Sequence, residues 1–503
     1  MYSNSRFKKA IKVIFFYLVF FAVSSLANDS DEIHKYLKEF HSSPFLMMDR
    51  LPQQIINGKA VDRGAINFQK KNANNKDLFS FDRHAFIDLN VNLYSLSTNG
   101  DLAATIIDQG IVNAGIDSLD RLKLTSASLK QIPWADSYWP IYKGIIGIRY
   151  ADVNFPDSKN FEDNFNYITE HSAATIAASA DQIAIDQLSP SEKYDLLLGD
   201  ANWTLTNYSW EQGQRYLSES GFIPHWMGIC HGWSAAAHMN VAISHKPIVV
   251  ESVNHIRITF YPSDIKALQS MLWANASPVT RFIGTKCKVN NPERNSIGRV
   301  IDPDCQNNNP ASFHLILTNQ LGINQRSFVM DGTYDAEVWN FPLTAYKYKY
   351  FNPQTLEPTL DYKQAMIPVE KFSIDKFKEF RSPDVRYVIG IAMDDTYVVE
   401  INPSRSSQEV SPLKTFRHFY DLELDANFQI IGGEWYANAH PDFIWTFDIN
   451  AQAKSIVDNK IKSEDWLSAE GVPAPWTGLA QIASGRGQPV YAIIKSLLNR
   501  EPQ

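Results

Sequence analysis

The sequence predicts an α+β fold, on two observations. Helical periodicity dominates the chain up to about residue 240, and a period of two, with β-branched and aromatic residues, dominates after it. The chain is also long, 503 residues with 12 Trp, 22 Tyr and 29 Phe, enough to bury a sizeable core without cross-links.

At the N-terminus, Arg6, Lys8, Lys9 and Lys12 precede an apolar run from Val13 to Val23 and then Ser25-Leu26-Ala27, the three-part pattern of an export signal over residues 1–27. The run is too short to span a bilayer comfortably, which takes about 20 residues. A retained anchor is the alternative, but stable membrane insertion after signal removal is not expected. Loss of those four cations moves the formal charge from −8 to −12. Such a surface repels phosphate backbones and anionic lipid, so nucleic acid is excluded as an expected partner.

Residues 28–130 read as a mostly helical and loop region that contributes no recognisable chemistry, with a solvated tract at Gln69–Asp77. A denser core over 131–350 opens at Trp134. It contains a helix from about Glu170 to Gln187 stopped by Ser189-Pro190, and another from about Trp210 to Ser218. Strands are expected at Pro247–Glu251, Ile256–Tyr261, Phe313–Thr318, Ser327–Asp331, Val385–Ala392, Tyr397–Ile401 and Gln429–Trp435. Residues 351–503 form a β-rich region that completes the fold and ends in a short helix, Val490–Leu498.

Of three cysteines, Cys287 and Cys305 flank one polar loop and are expected to form a disulfide, which leaves Cys230 without a partner. Cys230 stands in His225-Trp226-Met227-Gly228-Ile229-Cys230-His231-Gly232-Trp233, followed by Ser234-Ala235-Ala236-Ala237, which reads as a close-packed helix starting at the cysteine. A helix N-terminus favours a thiolate, and Gly228 and Gly232 permit the close backbone approach an oxyanion hole needs. A buried structural cysteine is the competing reading.

His231 cannot serve as the base, since its side chain points about 100° away from that of Cys230 on a helix. His314 is the candidate. Folding Ser312–Asn319 onto Arg326–Asp331 as a hairpin sets His314 opposite Asp331, Ile316 opposite Val329 and Thr318 opposite Ser327. Imidazole and carboxylate then share a face, as a triad requires. Asp335 is a reserve acid, and His440 with Asp442 is a competing pair that also suits a buried turn.

Together these segments resemble the transglutaminase elicitor family. The resemblance rests on Trp226–Trp233 with Ala235 and Ala236, on Phe313–Leu315 through Asn319, and on Phe328–Asp331 leading to Glu337-Val338-Trp339-Asn340. It extends to Tyr138–Tyr150, Lys193–Asp200 and Gly433–Trp445, so roughly residues 130 to 450 are covered. It implies a papain/transglutaminase-like core in which the nucleophile opens a helix packed on an antiparallel sheet, with Cys230, His314 and Asp331 as nucleophile, base and orienting acid. The implied activity is that of a secreted protein-glutamine γ-glutamyltransferase working through a thioester on protein substrates that carry Gln and Lys. Trp226, Trp203 and Trp233 are oxyanion or substrate candidates. A glutamine deamidase or cysteine peptidase could use the same three residues, and a non-catalytic elicitor or binding protein needs none of them. No cofactor is required by this chemistry. Because related animal enzymes need calcium, the Asp302–Asn309 loop invites a Ca2+ reading, but it lacks EF-hand spacing and reads as a solvated loop, so no metal ligand is assigned.

Overall fold

The structure, a computed structural model, describes residues 29–66, 102–108 and 112–500, apart from short stretches at 241–242, 244, 277, 288, 290, 306–307, 335–336, 407–409, 463–465 and 467–470. The proposed export signal, the Gln69–Asp77 tract and Asp335 lie outside the described residues. Among the described residues, no helix is long and apolar enough to cross a membrane.

Fourteen strands are present among the described residues: β1 (Gln53–Ile56), β2 (Lys59–Val61), β3 (Ser126–Ser128), β4 (Ile248–Glu251), β5 (Arg257–Phe260), β6 (Thr280–Gly284), β7 (Val329–Asp331), β8 (Asn340–Phe351), β9 (Pro358–Thr359), β10 (Ile367–Pro368), β11 (Tyr387–Val398), β12 (Leu413–Leu424), β13 (Ile430–Trp435) and β14 (Phe443–Phe447). Antiparallel pairing sets the main path β2-β1-β12-β11-β8-β7-β14-β6, with β13 on β12, β10 on β11, and β3 and β9 on β8. β4 and β5 form a separate hairpin. Helices and an antiparallel sheet packed in one molecule make the α+β class correct.

Local capping explains where the helices differ from expectation. The single helix expected over Glu170–Gln187 is three: Phe161–Glu170, Ala173–Ser179 and Gln182–Asp186. Ser172 and Asp181 each accept a backbone N–H two or three residues on, and each therefore restarts the helix rather than continuing it. Ser189-Pro190 is likewise a beginning. Ser189 and Glu192 form a reciprocal capping box, and Pro190 occupies the first helical position, where its missing N–H costs nothing.

The largest correction falls on Phe313–Thr318, which is not a strand. Asn309 accepts the Ala311 N–H at 2.8 Å and Pro310 follows it, so an α-helix runs over Pro310–Ile316 and continues as a wider-wound helix over Leu317–Ile323. The Asn-Pro start signal outweighs the apolar alternation that suggested a strand. Residues 29–66 also depart from a helix-and-loop reading, because β1 adds to the edge of β12 and carries β2 with it. The helix over residues 29–42 lies on the same sheet, where Tyr36 stacks on Phe419 at 3.9 Å and Phe40 on Tyr436 at 4.5 Å.

The helix Cys230–Met239 is wedged against the helix Pro262–Asn275 and against β8. A Cβ on Gly232 would stand 2.2 Å from the Ser270 carbonyl oxygen, so the absence of a side chain there is what lets the two helices approach. Ala235, Ala236 and Ala237 are all buried, so the helix is enclosed on more than one side, and Trp233 fills the space beside Phe341. The packing fixes the start of the helix, and with it the sulfur, against the sheet.

Candidate active site

Cys230 is the first residue of its helix and is 5 % exposed. The preceding residue is anchored to the chain at 138–140. Ile229 donates to the Tyr138 carbonyl at 2.8 Å, and Gly228 bridges to Pro140. A Cβ at Gly228 would lie 2.5 Å from that same Tyr138 carbonyl. Gly228 and Gly232 thus let the Tyr138 and Ser270 carbonyls pack closely against the chain on either side of the cysteine.

The Cys230 thiol donates weakly to the Val338 carbonyl at 3.7 Å and accepts from Asn340 Nδ2 at 3.5 Å. Asn340 is itself oriented, because Trp445 Nε1 donates to its Oδ1 at 2.8 Å. The chain runs from β7 through residues 332–339 into β8, and this hairpin pairs Asp331 directly with Asn340. Directly paired residues project to one face with Cβ atoms about 5 Å apart. Cys230, Asn340 and Asp331 therefore meet at one place.

Asp331 is fully buried, and its two oxygens have different surroundings. Oδ1 accepts from Trp339 N at 3.1 Å, Thr333 N at 3.2 Å and Thr333 Oγ1 at 2.9 Å. Oδ2 faces Lys286 Nζ at 3.5 Å. Burial lifts the carboxyl above the ordinary aspartate range, against the pull of Lys286 and those hydrogen bonds. Burial also raises the Cys230 thiol; Asn340 opposes this, while the charges of Asp331 and Glu400 add to it. Burial thus works against the thiolate expected at the helix N-terminus. The site sets a thiol and a carboxyl together, both made harder to ionise by burial.

The transglutaminase elicitor family model matches residues 114–466. The chain belongs to the transglutaminase elicitor family. Its match takes in Cys230, Asp331 and Asn340 and leaves out β1, β2 and the helix over 29–42. Among solved structures, the GP42 transglutaminase from Phytophthora sojae is similar, at 20% sequence identity and a TM-score of 0.46, over 74% of this chain and 94% of that one. None of the curated proteins matches.

In this transglutaminase elicitor chain, His314 is not brought to the cysteine. Its Nδ1 lies 2.9 Å from the Tyr420 hydroxyl and its ring 4.9 Å from that of Tyr348, fully buried. Tyr348 is eight residues along β8 from Asn340, about 26 Å at the rise of an extended strand. The hairpin that would have set His314 opposite Asp331 does not form, because its first arm is helical. None of the sulfur's hydrogen-bond partners among the described residues is a histidine.

Burial lowers the His314 pKa to about 3, and that of His238, on the cysteine helix, to about 3 as well. Both titrate near 6.5 once unfolded, so each contributes stability that is complete above pH 6.5 and is lost as the pH falls toward 3. Unfolding in urea should therefore show a loss of about 2 kcal/mol per imidazole between pH 7 and pH 5. His314→Gln should flatten this dependence while leaving the reactivity of Cys230 unchanged. Loss of that reactivity would return His314 to the site.

The remaining candidates are placed as follows. Trp233 is fully buried and donates from Nε1 to the Trp134 carbonyl at 3.2 Å, so its indole serves the core. Trp203 is half-buried at the cap of the helix Thr204–Ser220, and Trp226 is half-buried against the core; neither indole donates to the sulfur. His440 stacks on Trp435 at 4.7 Å with its pKa lowered to about 3 by burial, and the Asp442 carbonyl accepts from Asn308 N at 3.3 Å, which suits a structural turn. Cys287 and Cys305 are bonded to each other, and Cys230 is the free cysteine. The chain around Asp302 makes a short turn at Pro303–Cys305, with Gln306 and Asn307 outside the described residues. Among the described residues no three His, Cys, Asp or Glu side chains gather as metal donors, and no step is routed through a metal.

Sequence reasoning missed Asn340 and Trp445, which hold the sulfur from the sheet side. It also missed the buried pair His418–Asp395, 2.9 Å apart across β12 and β11.

Proposed function

We propose that this chain is an exported protein-glutamine γ-glutamyltransferase with Cys230 as nucleophile and Asp331 as its proton acceptor. The observation that carries the reading is the meeting of a buried thiol at a helix N-terminus with the Asp331–Asn340 pair, in a chain whose family bears the transglutaminase name. Export rests on the pattern of residues 1–27.

In the first half-reaction the Asp331 carboxylate takes the thiol proton as sulfur attacks the glutamine side-chain carbonyl. The protonated carboxyl then gives that proton to the departing nitrogen, ammonia leaves, and a thioester remains. In the second half-reaction a neutral lysine amine attacks the thioester. Its surplus proton passes through Asp331 to the sulfur as the carbon–sulfur bond breaks, which restores the thiol and releases the isopeptide. Backbone N–H groups at the start of the cysteine helix supply stabilisation for the developing oxyanion. Asn340, held by Trp445, keeps the sulfur aimed.

The test is incubation of the mature protein with a fluorescent primary amine and a glutamine-bearing protein, followed by mass spectrometry of that protein. Amine adducts at glutamine are expected. A mass gain of about one dalton alone assigns a deamidase, chain cleavage assigns a peptidase, and an unchanged substrate leaves a non-catalytic elicitor.

A further inference from the structure

We propose that Lys286 is a positioning residue of the Cys230 site, tethered by the neighbouring Cys287–Cys305 bridge, and that it holds Asp331 and the Glu337–Trp339 loop in one arrangement. The inference rests on the acyl-transfer reading for its kinetic consequence, and on geometry alone for its placement.

Lys286 follows β6, two strands from the carboxylate. In the sheet, Gly284 pairs with Phe443 and Met330 with Ile444, so Asp331 lies in the same row beyond β14. Gly284 adopts a φ of 79°, and a Cβ there would stand 2.3 Å from the Asp442 carbonyl, so the chain leaves β6 at a turn that only glycine makes easily. The turn sends the Lys286 side chain across the end of β14. There Nζ faces Asp331 Oδ2 at 3.5 Å and also donates to the Glu337 carbonyl.

The second contact matters because Glu337, Val338 and Trp339 are consecutive. Val338 presents its carbonyl to the Cys230 thiol, and Trp339 N donates to Asp331 Oδ1. One ammonium therefore staples the loop above the sulfur to the acid beside it. Lys286 is 15 % exposed at its side chain and sits next in sequence to a bridged cysteine, so its backbone is tied to the loop around Cys305. Among the described residues, the charge of Asp331 also acts on the Cys230 thiol and the Tyr334 hydroxyl; Glu400 acts on Cys230, and Arg63, Asp395 and Asp442 act on Tyr334. Lys286 is the cation whose charge acts most strongly on Asp331.

The experiment compares the full mature chain with Lys286→Ala, Lys286→Arg and the double variant Cys287→Ser/Cys305→Ser. Two readouts are followed against pH: amine incorporation, and alkylation of Cys230 by iodoacetamide, which needs no turnover. Removal of the cation makes Asp331 harder to ionise, so the acid limb of kcat/KM in Lys286→Ala should move up by about one pH unit, a loss of about tenfold at the acid end. Lys286→Arg should restore the profile to within about twofold. The double cysteine variant should shift the limb the same way, and adding Lys286→Ala to it should shift it little further. A uniform loss with an unmoved limb, or additive effects of the two changes, would overturn the proposal. If the wild-type chain incorporates no amine, the acyl-transfer reading fails by itself, and alkylation decides on Lys286. A Lys286→Ala alkylation curve that rises at higher pH supports the placement, and a curve superimposed on that of the wild type defeats it.

Discussion

Replacement of Cys230 by alanine should abolish amine incorporation, a loss of at least about 10⁴-fold, with little change in thermal stability. The change removes one buried sulfur whose two hydrogen bonds, at 3.5 and 3.7 Å, are long and contribute little to folding. It removes the whole of the covalent path. Cys230→Ser should be almost as inactive, since a hydroxyl in the same buried place is far harder to ionise. The state of the thiol makes this more specific. A helix N-terminus offers an anion about 0.3–1 kcal/mol, up to about 2 kcal/mol in partly buried geometries. Burial and the nearby charges of Asp331 and Glu400 act the other way, and together they win, so the thiol is raised rather than lowered. Iodoacetamide should therefore label Cys230 slowly at neutral pH and faster as the pH rises. An enzyme that stored a ready-made thiolate would show the reverse, with fast labelling well below pH 8. Amine incorporation retained by Cys230→Ala would remove Cys230 from the reaction.

The cysteine helix was legible because its signals are local: small residues in sequence, two glycines, and a turn before them. The base was not, and the reason is a competition between two hairpins. Asp331 can be folded back on residues 312–319 or forward on Asn340. The backward choice set His314 opposite it and looked chemically complete. The forward choice is the one the chain makes, with Val329 on Pro342, Met330 on Phe341 and Asp331 on Asn340. The decisive evidence was present in the sequence as Asn309-Pro310, a helix start just ahead of the supposed strand. Apolar runs of this length do not distinguish a buried strand from a buried helix by periodicity, and the cap should have decided. Asn340 itself carries no local mark. Its role comes from a contact with a helix 110 residues away and from Trp445 on another strand, both products of the tertiary fold. The disulfide was legible from the one polar loop that Cys287 and Cys305 flank, whereas the reach of Lys286 to Asp331 depends on a sheet register that no spacing rule supplies.

Replacement of Asp331 by asparagine separates the two explanations of that buried acid. As the proton acceptor of Cys230 it should cost about 10³-fold in kcat, within the usual range for loss of a general base, with a smaller effect on KM. Asparagine can still accept from Trp339 N and Thr333 through its oxygen, so the turn after β7 has most of its hydrogen bonds. The sign of the stability change follows from the carboxyl's raised pKa. A carboxyl harder to ionise in the folded chain than in the unfolded one favours folding at low pH, and that advantage is lost as the pH rises through its folded value. Asparagine escapes this loss. At pH 7 the variant should therefore be at least as stable as the wild type, with the difference shrinking toward pH 4, even though Lys286 loses its partner and turns to the Glu337 carbonyl and solvent. Higher stability with activity lost is the mark of a group kept for chemistry at the expense of the fold. Thermal melts at several pH values and single-turnover rates on one preparation provide the comparison. A variant that is unstable at every pH would make Asp331 a structural acid, and a variant that is stable and active would place the proton acceptor elsewhere.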